Sequence, residues 1–377
     1  MTKSKDVLPP RILHLHSTFD AGGKELRSAR LINAFGPKVH HTIVSAVEGA
    51  YGASKAIARG ANVSYPTDFP SLQGKPTPGR LQTIARRMAA HNLVLTYNWG
   101  AMDAVMAHTV FSAHMGLHML IHHEDGFNED EQTRLKPSRN LYRRLALSGA
   151  HKLIVPSEIL EEIALGTWHQ PMGKVSRISN GIETLAFSKR PKKHAIKGLE
   201  KQAGELWVGT LAGLRAVKNV PRLVRAFAML PEHCRLVIVG EGPEKERIEQ
   251  EATAPGIRDR VSLPGFVKRP ERYVGLFDIF ALSSDTEQFP ISVVEAMAAS
   301  VPVAAPAVGD VAGMVSEENA PFVTAKGDGE ALGRSLKTLA EDAELRRVIG
   351  EANRLKAMGE FDQLSMIGSY GRLYWGA

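Results

Sequence analysis

Short apolar runs and helix-patterned stretches take turns along this chain, and the alternation starts twice. In the first series RILHLHS (11–17) reads as a strand, FDAGGKE (19–25) breaks it with a glycine pair, and LRSARLINAF (26–35) has helical spacing that Gly36 ends. HTIVSAV (41–47), NLVLTYN (92–98), HMLIHHE (118–124) and HKLIVPS (151–157) are further strands, with helical stretches between several of them. Apolar strands separated by helices predict a parallel sheet covered on both faces, since a strand with no wet side needs no polar alternation. After residue 184 the chain turns basic, contains proline and loses its period, which marks a domain junction. The alternation resumes with LWVGTLAGL (206–214) and a helix in KNVPRLVRAFAML (218–230), with Asn219 as expected N-cap and Pro221 near the first turn. CRLVIVGEG (234–242), DRVSLPGF (259–266), LFDIFALSS (276–284) and VPVAAPAVGD (301–310) continue the strands. Each series has the size of one nucleotide-binding-type domain, and 377 residues exceed what one core comfortably serves.

Composition narrows the functional classes. The single cysteine, Cys234, permits no internal disulfide, which points to a reducing compartment. Met1 to Pro10 is polar and lacks a signal-peptide core, and no apolar run reaches the length of a membrane span, so a cytoplasmic location is expected. The formal net charge of +7 suits an anionic partner: nucleic acid, a phosphorylated small molecule or an anionic membrane surface. For nucleic acid, charge is the sole support, because zinc-ligand spacing, an aromatic RNA-binding signature and a long basic helix are all missing. Part of the excess lies in SKRPKKHAIKGLEK (188–201), which reads as a solvated linker.

The densest chemistry is in SSDTEQFPISVVEAMAAS (283–300), where seven residues separate Glu287 from Glu295. Glu295 alone is explained by a capping box, with Ser292 capping the helix and Glu295 reaching back to its amide. Glu287 and the Gln-Phe-Pro behind it are not, and they follow a strand expected to end at Ser283–Ser284. Ligands of open parallel sheets bind beyond the carboxyl ends of the strands. A carboxylate there accepts paired hydrogen bonds from a sugar diol, and amides at Phe289 and the helix start suit a hydroxyl or a phosphate. Arg215 and Lys218 would make an anion site on a loop entering a helix, or else form an ordinary solvated loop. Gly22 and Gly23 permit close backbone approach to a ligand, or make a plain turn. His122 and His123 are adjacent on a strand and so point to opposite faces, which argues against a shared metal.

Taken in order, these segments resemble the family 4 retaining glycosyltransferases, which carry two glutamates at this spacing. EAMAASVPV (295–303) is similar to the helix and strand after the second glutamate, and AGLRAVKNVPRLVRAFA (212–228) to the phosphate-binding loop and helix. VGEGPEKERIE (239–249), VSLPGF (261–266), IVPSEILEEI (154–163), KVSRISNGIE (174–183) and the Ala-Gly-Gly at 21–23 continue in register, while residues 50 to 115 resemble the family least. The resemblance implies an α/β protein of GT-B fold, two Rossmann-like parallel-sheet domains facing a central cleft. It implies an acceptor-side domain over 1–184 and a donor domain over 185–359, with a last helix, about 360–377, returning to the first. It further implies transfer of a hexose, with retention, from a nucleotide sugar to a glycan or lipid-linked acceptor, as in bacterial-type polysaccharide or glycolipid assembly. No cofactor, no metal and no nucleic acid would be involved. Glu295 would bind the ribose, Arg215 and Lys218 the diphosphate, and Glu287 the transferred sugar with the backbone around Phe289 and Pro290. His123 would lie at the cleft mouth near the reacting sugar, and Gly22 and Gly23 would form the phosphate or acceptor loop. Three positions depart from the family: Gly213 where an arginine is frequent, with Arg215 as the substitute, Gln288 where glycine is frequent, and Ser300 where glycine usually ends the helix.

Rival readings keep parts of this picture. A nucleotide-sugar epimerase of the same fold would turn over without an acceptor, and a silent sugar-nucleotide binder would not need the full set of Glu287, Glu295, Arg215 and Lys218. GRLQTIARRMAAHN (79–92) sets Leu81, Ile84, Ala85, Met88 and Ala89 on one helical face, with Arg80, Arg86 and Arg87 off it. Those arginines are either a solvated face or a weak hold on an anionic bilayer, at the inner face of the cytoplasmic membrane.

Overall fold

Strands form where Val, Ile, Leu and aromatic residues run together, and a computed structural model, describing residues 10–127, 129–131, 134–253 and 256–375, places them in two sheets. The chain divides into two compact units, Met1–Ile178 with Ile367–Ala377, and Ser179–Met366. Residues 1–9, on which the absence of a signal sequence was read, lie outside the described residues.

The first unit holds strands β1 (Arg11–His16), β2 (His40–Ser45), β3 (Asn62–Ser64), β4 (Leu93–Tyr97), β5 (Met119–His123), β6 (Lys152–Val155) and β7 (Val175–Arg177). Helices α1 (Gly23–Phe35), α2 (Pro78–Met88), α3 (Met102–Met115), α4 (Pro137–Ala146) and α5 (Glu158–Glu162) connect them. All neighbouring strands are parallel, in the order β3-β2-β1-β4-β5-β6-β7. Ile12, Leu13 and Leu15 of β1 are fully buried, as a strand covered on both faces requires.

The second unit repeats the plan with β8 (Leu206–Leu211), β9 (Cys234–Val239), β10 (Val261–Gly265), β11 (Ile279–Ala281), β12 (Val303–Pro306) and β13 (Val323–Thr324). Its helices are α6 (Val220–Phe227), α7 (Lys245–Thr253), α8 (Ile291–Ala298), α9 (Val311–Met314), α10 (Gly329–Glu341) and α11 (Ala343–Glu360); α12 (Gln363–Trp375) follows. The strands are again parallel, in the order β10-β9-β8-β11-β12-β13. In both sheets the order reverses beside the first strand of the series, between β1 and β4 and between β8 and β11. Strand-end loops diverge at such a reversal and leave a crevice at the carboxyl edge.

Several expectations need correction. The second unit starts at Ser179, earlier than the break expected after residue 184, because Ile182 exchanges backbone hydrogen bonds with Phe361 and Gln363 and Thr184 Oγ1 donates to Asp362. The basic segment 188–201 is solvated but also anchored: Lys189, Arg190, Lys192, Lys193 and Lys197 are exposed, while Ile196 is fully buried and Lys201 Nζ lies 2.6 Å from Asp278. On α2, Leu81, Ile84, Ala85 and Met88 are buried in the first unit's core, while Ala89 is exposed. Two of its cations are paired, Arg80 with Asp103 and Arg87 with Asp68 at 2.6 Å each, while Arg86 is exposed and bonds the neutral amide of Gln82 at 3.3 Å. No helix among the described residues is long and apolar enough to cross a membrane.

Candidate active site

The loops leaving β8 and β11 meet at the crevice of the second sheet, and they carry Lys218 and Glu287. Lys218 Nζ donates to Glu287 Oε1 at 2.5 Å, and Ser284 Oγ donates to the same oxygen at 2.7 Å. The pair is mostly shielded, with side chains 18% and 11% exposed, so the attraction is stronger than at an open surface. The two loops are also tied by their backbones. Asp285 N donates to Val217 O at 2.8 Å and Ser283 Oγ to Lys218 O at 3.0 Å. Asp285 pairs with Arg222 at 2.6 Å and accepts from Asn219 Nδ2 at 3.1 Å. Asn219 therefore does not cap α6 as expected. It occupies the N-cap position in a left-handed conformation, φ 43°, with its amide spent on Asp285.

The capping box at Ser292 and Glu295 is also absent. Pro290, at φ −72°, takes the N-cap position of α8, so Ser292 already lies inside the first turn and no side chain caps the helix. Glu295 is half-buried, and together with burial, the larger cause, its charge raises the pKa of the Tyr273 hydroxyl. Phe289 is nearly buried, edge-on to Phe361 at 5.5 Å. At the far end Ser300 adopts φ 61°, and Val301 N closes the helix on Ala296 O at 2.9 Å. The left-handed turn usual for glycine is thus kept by a serine, at a conformational cost. Arg215 is exposed, and its Nε lies 3.8 Å from where a Cβ on Gly213 would stand.

Two supports of this site escaped the sequence reading. In sequence Ser284 reads only as a strand end. Gly309, at φ 55°, packs so closely under the Glu287 loop that a Cβ would stand 2.5 Å from Gln288 O, and Asp310 N donates to that oxygen at 3.1 Å. A glycine directly after the apolar run of β12 was the available signal.

In the first unit, Gly22 precedes α1 in extended backbone, φ −139°, and Gly23 begins the helix. A Cβ on Gly22 would stand 2.7 Å from the Glu25 carboxylate. Burial raises the Glu25 pKa, with Lys24, its hydrogen-bond partner, opposing. Arg27 of α1 grips Asp125 with both guanidinium nitrogens, at 2.5 and 2.8 Å, and Asn98 Oδ1 accepts from Asp125 N at 2.8 Å. His123 does not stand at an open mouth. It is 1% exposed, with Nδ1 3.2 Å from Thr96 O and Nε2 2.8 Å from Tyr374 Oη, and its ring stacks on Tyr97 at 4.6 Å. Burial first, and Arg27 second, lower its pKa to about 3, so the ring is neutral. His122 is bonded separately, to Thr96 Oγ1 at 2.8 Å. Among the described residues no three His, Cys, Asp or Glu side chains are grouped to hold a metal ion.

Residues 191–356 match the model of the family described as Glycosyl transferases group 1. N-acetyl-alpha-D-glucosaminyl L-malate synthase of Bacillus anthracis is 26% identical over 208 residues, 55% of either chain. Putative glycosyltransferase EpsF of Bacillus subtilis is 28% identical over 224 residues, 54% of this chain and 57% of its own. The chain thus spans little more than half the length of the curated relatives it matches. Among solved structures, Anabaena HepE in complex with UDP is similar with a TM-score of 0.80 at 21% identity, over 97% of this chain and 100% of that one. WaaG, a glycosyltransferase involved in lipopolysaccharide biosynthesis, is similar with a TM-score of 0.71 at 16% identity, over 97% and 100%. The fold is accordingly GT-B, with two Rossmann-like parallel-sheet domains.

Proposed function

We propose that the chain is a group 1 glycosyl transferase, as the match of residues 191–356 suggests, and that it moves a sugar, with retention, from a nucleoside-diphosphate sugar to a glycan or lipid-linked acceptor. The observation that carries this reading is the meeting of Lys218 and Glu287 at the strand-order reversal of the second sheet, within the matched segment. Lys218 and Arg215 stabilise the diphosphate, first as ligand and then as leaving group. Charge developing there is met by fixed cations, so little reorganisation accompanies bond breaking. Glu287 and the backbone at Phe289 and Pro290 hold the transferred sugar, and Glu295 the ribose. No carboxylate is assigned as a covalent nucleophile. The acceptor hydroxyl attacks the face from which the phosphate departs, and the phosphate oxygen takes its proton. His123, buried and bonded through both ring nitrogens, acts as a positioning residue at the end of β5. No divalent ion is part of this scheme.

The relatives support the reading, since several are named as transferases of sugars. HepE is known in complex with UDP-glucose, which makes UDP-sugars the first donors to try. A thermal-shift panel of UDP-, GDP- and ADP-sugars, with magnesium and with chelator, tests the proposal. One nucleotide class should stabilise the chain equally in both conditions, and anomeric NMR of the product should report retention. No shift with any of them would defeat the assignment. An epimerase would instead convert the donor without acceptor.

A further inference from the structure

The first sheet has its own crevice where its order reverses, between β1 and β4, and a cavity of about 600 Å³ opens there. That is within the range of small-molecule sites. Ser17 follows β1 directly, and Trp99 and Gly100 follow β4. The strand ends are closed on one another: a Cβ on Gly100 would stand 2.2 Å from Ser17 Cβ, so glycine is required there. The remaining walls come from the loop before α2 and from the starts of α3 and α4, including Asp103, Ser138, Arg139 and Tyr142.

The electrostatics of this cavity select its ligand. Asp103 accepts from Arg80 at 2.6 Å and from Tyr142 Oη at 2.7 Å. Arg139 donates to Glu131 at 2.9 Å and Asp130 at 3.0 Å, and its guanidinium lies 4.9 Å from the Trp99 ring centroid. Each lining charge is thus matched by an opposite one, and a charged ligand would enter without a counter-ion. A neutral ligand loses nothing by this. Asp103 receives one of these bonds on each oxygen, and an ionised carboxylate has about four acceptor sites, so two more donors can be served. Trp99 and Tyr142, edge to face at 5.8 Å, add aromatic wall beside that carboxylate. Hydroxyl donors on an otherwise apolar ring are the chemistry of an uncharged pyranose.

We propose that this cavity is a sugar subsite that takes an uncharged pyranose ring of the acceptor, with Asp103 holding its hydroxyls. The assignment rests on the glycosyltransferase reading for the word acceptor, but not for the binding of sugar. Saturation-transfer NMR on the full chain tests it, with methyl hexopyranosides and disaccharides as neutral probes and a methyl hexuronate and a hexose phosphate as charged ones. The neutral probes should receive saturation. Ser138→Trp, which fills the cavity from an exposed helix start, and Asp103→Asn should each weaken them by about tenfold. Nucleotide-induced stabilisation should be the same in both variants as in the parent. Preference for a charged probe, absence of transfer to every probe, or neutral binding indifferent to Ser138→Trp would each overturn the proposal. Failure of the enzymatic reading would look different, with neutral sugars bound and no nucleotide sugar recognised.

Discussion

The two units share a strand order but keep different interiors. Among the described residues every buried histidine lies in the first: His14, His16, His41, His91, His108, His122 and His123. Several bond to one another or to hydroxyls, as His14 does to His41 at 2.9 Å and to Tyr97 at 3.2 Å. The second unit fills equivalent depth with apolar side chains and a small amide network, in which Asn319 bonds both backbone groups of Val303 and accepts from Asn353 at 2.8 Å. Amides do not titrate and imidazoles do. The comparison teaches that one topology fixes where the ligand edge lies, while the choice of buried polar group fixes how the unit answers acid.

Acidification should break the comparison most severely. Burial holds His14 and His16 well below the usual histidine value, His41 and His91 at about 4 and His123 at about 3. Their folded values lie below the unfolded value near 6.5, so the stability they allow is present above that pH and lost as pH falls towards 3. At pH 5 each such histidine should cost roughly 2 kcal/mol. Hydrogen exchange at pH 7.5 and pH 5 should therefore show the first unit losing protection while the second keeps most of its own. Equal loss in both would refute the contrast.

Lys218→Ala should come next, acting on the second unit alone. It removes the partner of Glu287 and should lower turnover by about 10²–10³-fold, on the scale of a lost charge-stabilising donor. Glu295→Gln should weaken nucleotide binding with the fold intact. Donor titrations and melting curves would check both, and parent-like binding in both variants would remove the site from these loops.

A smaller effect is expected at His123. Tyr374→Phe deletes one bond to its ring and should cost about 1 kcal/mol, with nucleotide affinity unchanged. His123→Ala should lower turnover more than donor affinity, as for a residue that positions other groups. Affinity lost with turnover intact at saturation would contradict that. Smallest is Ser300→Gly. Relief of the left-handed strain, less the entropy of a glycine, should stabilise the second unit by about 0.5 kcal/mol in urea melts.

Much of this was legible because doubly covered strands read as apolar runs: β1, β4, β5, β6, β8 and β9 lie inside the stretches read as strands, and β2 begins one residue before its stretch. The strand β3 was not, because three residues, Asn62–Ser64, show no pattern and their partner lies on one side only. The helix starts misled where loop geometry overrode local chemistry, at Pro290 and at the left-handed Asn219. Glu287 and Lys218 could be named from their motifs, but their contact joins residues 69 apart in sequence, which no local pattern encodes. The cavity beside Trp99 falls where the resemblance is weakest, and its one outward sign was Tyr-Asn-Trp-Gly at the end of an apolar strand.

The pair of Lys218 and Glu287 has one more consequence. An anion that reaches Lys218 does not arrive at a bare cation: one of the three ammonium donors is already given to Glu287, and two remain. On the proposed reading, the diphosphate would lie beside that carboxylate and feel its repulsion along with the attraction of Lys218. Its net hold would be weaker than on a lone lysine, and the same repulsion would ease the departure of the spent nucleotide.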